Sequence, residues 1–179
     1  MHHEESESKN NIDLNLICDN FHKVIEDYKK KDLSSICEKI YNAEGIFVFG
    51  TGNAQKSEAN ELKRIFLTIG KCFYDLFDVG EVELLEDTLT DKDLMFIISL
   101  SGETESALKI AKKMRVMGMP VISLTRLKDN SLAKLCGENL YVGTAFAKGI
   151  DNLNYETTTL YFIFIEILFL KYQLYLSQV

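Results

Sequence analysis

The sequence predicts an α/β protein: a three-layer α/β/α sandwich around a five-stranded parallel sheet in the order 2-1-3-4-5, preceded by N-terminal helices. Three observations point there. From residue 45 onward, short apolar runs alternate with longer amphipathic ones, the pattern of a parallel sheet covered by helices on both faces. The run Leu94, Met95, Phe96, Ile97, Ile98 has no polar interruption, as befits a strand buried on both sides. With 179 residues and 46% hydrophobic content, the chain is large enough for one domain with a substantial core.

Residues 1–11 are polar and acidic, lack the apolar centre of a signal peptide, and read as a disordered lead-in. Residues 12–43 carry two helices. In the first, Leu14, Ile17, Phe21, Val24 and Tyr28 recur in steps of three and four, which draws a seam along one side. The second spans about Leu33 to Tyr41. Both either pack on the domain or form a linker and dimerisation arm. Residues 44–179 hold the sheet, with strands expected near Ile46 to Gly50, Cys72 to Asp75, Leu94 to Leu100, Val121 to Thr125 and Asn139 to Val142. Between them, Ala59, Leu62, Phe66 and Ile69 repeat at helical spacing, as do Ala107, Ile110, Ala111 and Met114. Glu81 to Asp87 and Ser131 to Cys136 read as shorter helices, and Pro120 ends one helix before the next strand.

The formal net charge of −7 disfavours a grip on a polyanionic backbone, so this chain is not expected to bind nucleic acid itself. Cys18, Cys37, Cys72 and Cys136 lack zinc-site spacing and suggest buried, reduced thiols in a cytoplasmic protein. No cofactor and no metal are expected. The stretch Leu160 to Leu170, interrupted by Glu166, falls short of the roughly 20 apolar residues that span a bilayer. Its aromatic residues, Tyr161, Phe162, Phe164 and Phe169, suggest instead a subunit interface and hence a homodimer or tetramer.

Two loops carry the chemistry. The first strand ends in Gly50-Thr51-Gly52-Asn53, followed by a helix bearing Ser57; glycines there let backbone approach a ligand closely. The third strand ends in Ser99-Leu100-Ser101-Gly102-Glu103-Thr104, where hydroxyls, backbone N–H groups and a helix N-terminus make a pocket for phosphate. In the order 2-1-3-4-5 these loops face each other at the topological switch point. Asn53 and Ser101 have a plainer reading as helix N-caps. A dinucleotide site is disfavoured because Gln55 stands where G-x-G-x-x-G needs its third glycine. Beyond the fifth strand, Lys148 and Glu156 flank the start of the final helix, with Thr157, Thr158 and Thr159 near its N-terminus. There Glu156 is placed to accept from sugar hydroxyls and Lys148 to offset anionic charge.

The segments 48–56, 61–67 and 98–103 resemble the SIS (sugar isomerase) domain, and more narrowly the effector domain of RpiR/MurR-type bacterial transcriptional regulators. The similarity spans about residues 12 to 176, with the S-x-S-G-x-T element its most specific part. It implies a flavodoxin-like fold that binds phosphosugars. Ser99, Ser101, Gly102 and Thr104 would hold phosphate, and Gly50, Gly52, Asn53 and Ser57 would line the opposite wall. Many such domains have serine soon after the second glycine, where this chain has Asn53 and Ala54. Regulators of this type also carry an N-terminal helix-turn-helix domain, which the first 40 residues do not supply; either an excised effector domain or a natural stand-alone phosphosugar binder is expected, the first being preferred.

Two function classes stay open. An aldose–ketose isomerase needs an acid–base group near the sugar, and with no histidine after His22 it would rely on Glu103 or Glu156. A sensor needs only differential affinity of its ligand for two conformations, and is the preferred expectation.

Overall fold

The structure is a computed structural model that describes residues 14–148 and 154–179; the lead-in at 1–11 falls outside them. The expected sheet is present, parallel throughout, in the order β2-β1-β3-β4-β5. Its strands are β1 (Ile46–Gly50), β2 (Tyr74–Leu76), β3 (Leu94–Ile98), β4 (Val121–Arg126) and β5 (Glu138–Val142). β3, at the centre, is buried at every position, which is why its sequence is apolar without alternation. β2 is an edge strand, set two residues later than expected because Phe73 is already drawn into the core beside Phe66.

Helices cover both faces. One layer holds α1 (Leu14–Lys30), α2 (Ser34–Asn42), α3 (Asn53–Leu67) and α7 (Thr159–Leu176), packed on Val48, Phe96, Ile98 and Leu124. The other holds α4 (Val79–Leu85), α5 (Glu105–Val116) and α6 (Ser131–Leu135), packed on Phe49, Met95, Ile97 and Val121. The C-terminal half of α1 lies on the domain: Tyr28 meets Phe164 edge-on at 4.8 Å, and its hydroxyl oxygen accepts from Gly143 N–H at 3.0 Å. At the other end of α1, Leu14 and Leu16 are exposed.

Three expectations need correction. The final helix is longer than the apolar run suggested, 18 residues, and by length and composition alone it is apolar enough to cross a membrane. Within the chain, Tyr161, Phe164, Ile165, Leu168 and Phe169 are buried against α1, α2 and α3, whereas Phe162 is half-buried and Leu170 and Leu174 are exposed. Cys18 and Cys72 are exposed rather than buried, whereas Cys37 is buried and Cys136 half-buried. Finally, a β-hairpin precedes α7, with β6 (Ala145–Lys148) and β7 (Asn154–Thr157) pairing antiparallel. Thr157 therefore sits in a strand, where its hydroxyl accepts from Ala145 N–H at 3.2 Å, and not in the first turn of the helix.

Asn130 is the main polar clamp within this frame. Its Oδ1 accepts from Ala133 N–H at 2.8 Å to cap α6, while Nδ2 donates to Thr125 Oγ1 at 3.0 Å and to the Lys128 carbonyl at 2.9 Å. Asn130→Ala strips the cap and unpairs a buried hydroxyl, an expected loss of about 2 kcal/mol in a denaturant titration. Asp78, an exposed cap on α4, offers the comparison: Asp78→Ala should cost only about 1 kcal/mol.

Candidate functional site

The two loops singled out in the sequence meet. β1 and β3 pair in register to their last residues, Gly50 opposite Ile98, and Thr51 N–H donates to the Ile98 carbonyl at 3.1 Å. Both chains then leave the sheet at the same level, one into α3 on one face and the other toward α5 on the opposite face, as the switch point of this strand order requires. Gly50, Gly52 and Asn53 are thereby brought beside Ser99, Ser101, Gly102 and Thr104.

Gly50 is dictated by close approach. A Cβ there would lie 2.4 Å from the carbonyl carbon and oxygen of Gln55, so only glycine lets the first turn of α3 press onto the end of β1. Gln55, at the position of the missing third glycine, is buried with its side-chain oxygen over Gly52. Gly52 is the N-cap of α3 and offers no side chain to cap it. Asn53 is the first helical residue and exposed, so the plainer reading of it as the N-cap does not hold; its carbonyl accepts from the Ser57 hydroxyl at 3.1 Å.

In the second loop Ser99 is fully buried; its Oγ accepts from Gly102 N–H at 3.2 Å and lies 3.3 Å from Thr104 Oγ1. Ser101 Oγ accepts from Glu103 N–H at 3.2 Å. Ser101 is therefore not the cap of α5 either: that position is Thr104, whose hydroxyl turns back to Ser99 and makes no capping bond. α3 and α5 thus start from loops that leave adjoining strand ends, and neither has a side-chain cap; α2 and α7 also lack one, while α4 and α6 are capped by Asp78 and Asn130. Uncapped N–H donors and aligned dipoles attract an anion. Gly102 has a left-handed φ of 69°, and its carbonyl accepts from Leu132 N–H at 3.0 Å, which pins the loop to α6.

The two carboxylates expected of an isomerase are both engaged. Glu103 accepts from Ser131 N–H at 2.8 Å, and this bond at the start of α6 holds its carboxyl below the ordinary range. Glu156, in β7 rather than beside the helix start, receives Arg126 Nη1 on both oxygens at 3.2 Å and the Thr144 hydroxyl at 2.7 Å. Lys148 ends β6, and its side chain falls outside the described residues.

Residues that sequence reasoning passed over are Arg126, Glu58 and Tyr161. Arg126 ends β4 and its N–H donates to the Leu100 carbonyl at 3.2 Å, directly behind Ser99. Glu58 is wholly buried in α3 with neither carboxyl oxygen bonded, and burial pushes its pKa up to about 8. The available signal was a carboxylate at 58 within the apolar stripe that runs through Ala59, Leu62 and Phe66. A depression of about 480 Å³ lined by Asn42, Glu44, Leu94 and Pro120 lies at the amino ends of the strands, away from all of these groups. Parallel sheets bind ligands at the other end.

The family model for the SIS domain matches residues 39–171. The chain is 35% identical over 159 residues to the HTH-type transcriptional regulator GlvR of Bacillus subtilis, an alignment that covers 85% of this chain and 63% of that protein. It is 31% identical over 103 residues to the 3-hexulose-6-phosphate isomerase of Methanocaldococcus jannaschii, covering 53% of this chain and 49% of the isomerase. The chain thus spans less than two thirds of these relatives' lengths. The fold is shared with the sugar isomerase domain of an RpiR transcription factor from Sphaerobacter thermophilus, with a TM-score of 0.74 at 16% identity over 89% of each chain. It is also shared with Vibrio vulnificus NanR complexed with ManNAc-6P, with a TM-score of 0.67 at 22% identity over 90% of this chain and 66% of that one.

Proposed function

This chain belongs to the SIS domain family, and from that premise we propose that it is the phosphosugar-sensing effector domain of an RpiR-type transcriptional regulator. The observation that carries this reading is the level meeting of the Gly50–Asn53 and Ser99–Thr104 loops, with two helix N-termini left uncapped by side chains. A phosphate dianion docked there would take N–H donors from both helices and hydroxyls from Ser99, Ser101 and Thr104. Gly52, Asn53 and Ser57 would border it on the α3 side. The relation to GlvR supports a regulatory role. The full regulator would act in the cytoplasm as a homodimer or tetramer and reach DNA through a separate domain.

A stand-alone aldose–ketose isomerase is the second reading, favoured by the relation to the hexulose-phosphate enzyme. The engagement of Glu103 and Glu156 by Ser131, Arg126 and Thr144 weighs against it, since a base must be free to take a proton.

Thermal-shift screening of sugar phosphates, followed by NMR on those that bind, separates the two. Stabilisation without interconversion of aldose and ketose is expected; turnover would overturn the sensor. Ser101→Ala should weaken binding by about 1–3 kcal/mol, the range for a hydrogen bond to a charged group. An unchanged affinity would place the phosphate elsewhere.

A further inference from the structure

Four buried side-chain atoms lack a hydrogen-bond partner among the described residues: both carboxyl oxygens of Glu58, the hydroxyl of Tyr161 and Nε of Arg126. They come from α3, α7 and β4, yet they form one neighbourhood: α3 and α7 pack on each other in a single core cluster that holds Ala59, Leu62 and Tyr161, and Glu58 and Arg126 both lie within electrostatic reach of the Tyr161 hydroxyl. Glu58 and Tyr161 are each fully buried. An unbonded polar group in an apolar interior costs about 1–3 kcal/mol, and a charged one more, so three together are an expensive way to fill a core. Phenylalanine at 161 and leucine at 58 would pack the same space without that penalty.

The cluster adjoins the proposed anion site. Arg126 is bonded through its N–H to the carbonyl of Leu100, between Ser99 and Ser101. Its guanidinium is held by Glu156 through Nη1, which leaves Nε–H facing inward. Glu58 lies about one and a half turns beyond Asn53 on the core side of α3, and Tyr161 lies in the first turn of α7.

We propose that Glu58, Tyr161 and the Arg126 Nε–H form the subsite for the uncharged, hydroxyl-bearing end of a sugar phosphate whose phosphate sits in the Ser99–Thr104 loop. This rests on the proposed function and names its specificity determinants. A neutral carboxyl offers one donor and an acceptor, a phenol offers one of each, and Nε–H is a donor, a set that matches adjacent sugar hydroxyls. Because no part of Glu58 touches solvent, a sugar ring enters only when the first turns of α3 and α7 part, which links occupancy to the position of α7.

Calorimetric titration with inorganic phosphate and with glucose 6-phosphate, fructose 6-phosphate and N-acetylmannosamine 6-phosphate tests it. The quantity read is the ratio of the Kd for phosphate to the Kd for the tightest sugar phosphate. Glu58→Leu and Tyr161→Phe should each lower that ratio tenfold or more with phosphate affinity unchanged, and Glu58→Gln, which keeps a donor and an acceptor, less than threefold. Melting curves confirm that each variant is folded; Tyr161→Phe, which deletes a single oxygen, keeps the test valid if Glu58→Leu is not. An unchanged ratio in both, beside Ser101→Ala weakening every ligand, overturns the subsite and leaves the phosphosugar reading intact. Should no sugar phosphate outbind inorganic phosphate in the wild-type protein, both fall.

Discussion

Gly50→Ala should lower the stability of the protein by roughly 3 kcal/mol or more, the upper range for overpacking, and its melting temperature by about 6–12 °C for a domain of this size. The added methyl would sit 2.4 Å from the Gln55 carbonyl group and 2.6 Å from Lys56 nitrogen, which are backbone atoms that no rotamer change can move aside. Relief requires the first turn of α3 to lift off β1. That displaces the α3 N-terminus from the Ser99 loop, so binding of any anion there should weaken in step with stability. Gly137→Ala is the control: a Cβ at that position meets nothing within 4 Å, and its melting temperature should stay close to wild type. Equal behaviour of the two variants would mean that the β1–α3 junction is not tightly packed.

The second large effect is a dependence of stability on pH centred on Glu58. Burial raises its pKa from 4.5 to about 8, so the folded protein holds a proton that the unfolded chain releases above pH 4.5. Between those values the unfolded state binds fewer protons. Stability therefore falls as pH rises through this window, by roughly 1 kcal/mol per pH unit, reaching on the order of 4 kcal/mol by pH 8. Desolvation alone drives this shift; Tyr161 from α7 is the titratable group it acts on, and Tyr28 from α1, Glu156 from β7 and Arg126 from β4 act on that same hydroxyl, with Glu156 already tied to Arg126. Denaturant unfolding at pH 5, 6.5 and 8 should show the decline in wild type and its loss in Glu58→Gln, with Glu58→Leu the most stable at pH 8. Parallel pH profiles for wild type and Glu58→Gln would mean that the carboxyl is hydrated in the folded state.

What the sequence made legible was set by how many constraints each residue met at once. β3 had to be apolar on both faces, and Leu94 to Ile98 announced it. Gly50 and Gly52 marked a junction because a strand on one side and a helix on the other left little else for them to do. Once the strand order was inferred, the meeting of the two loops followed from topology rather than from any one residue. The β6–β7 hairpin was harder to see. Its strands are four residues each, and Gly149, Asp151 and Asn152 were the only turn-forming cue between them. Tyr161 and Phe164 sit in a helix whose apolar residues surround it, so nothing in their spacing said which sides neighbouring helices would cover. Glu58 was overlooked because a glutamate at helical spacing ordinarily faces water, and only packing against α7 shows that this one does not. Arg126 was invisible for a related reason: its partners at this site, Leu100 and Glu156, lie 26 and 30 positions away in the chain.

The bond from Leu132 to Gly102 and the crowding of Gly102 by Asn130, whose Oδ1 would lie 2.2 Å from any Cβ placed there, have a consequence for protein engineering. The six residues from Ser99 to Thr104 are not a portable cassette. Grafted onto a foreign scaffold without a counterpart of Asn130 and the helix it caps, they would lose the mould that gives the loop its curvature, and a transplant would have to carry both pieces to inherit the shape.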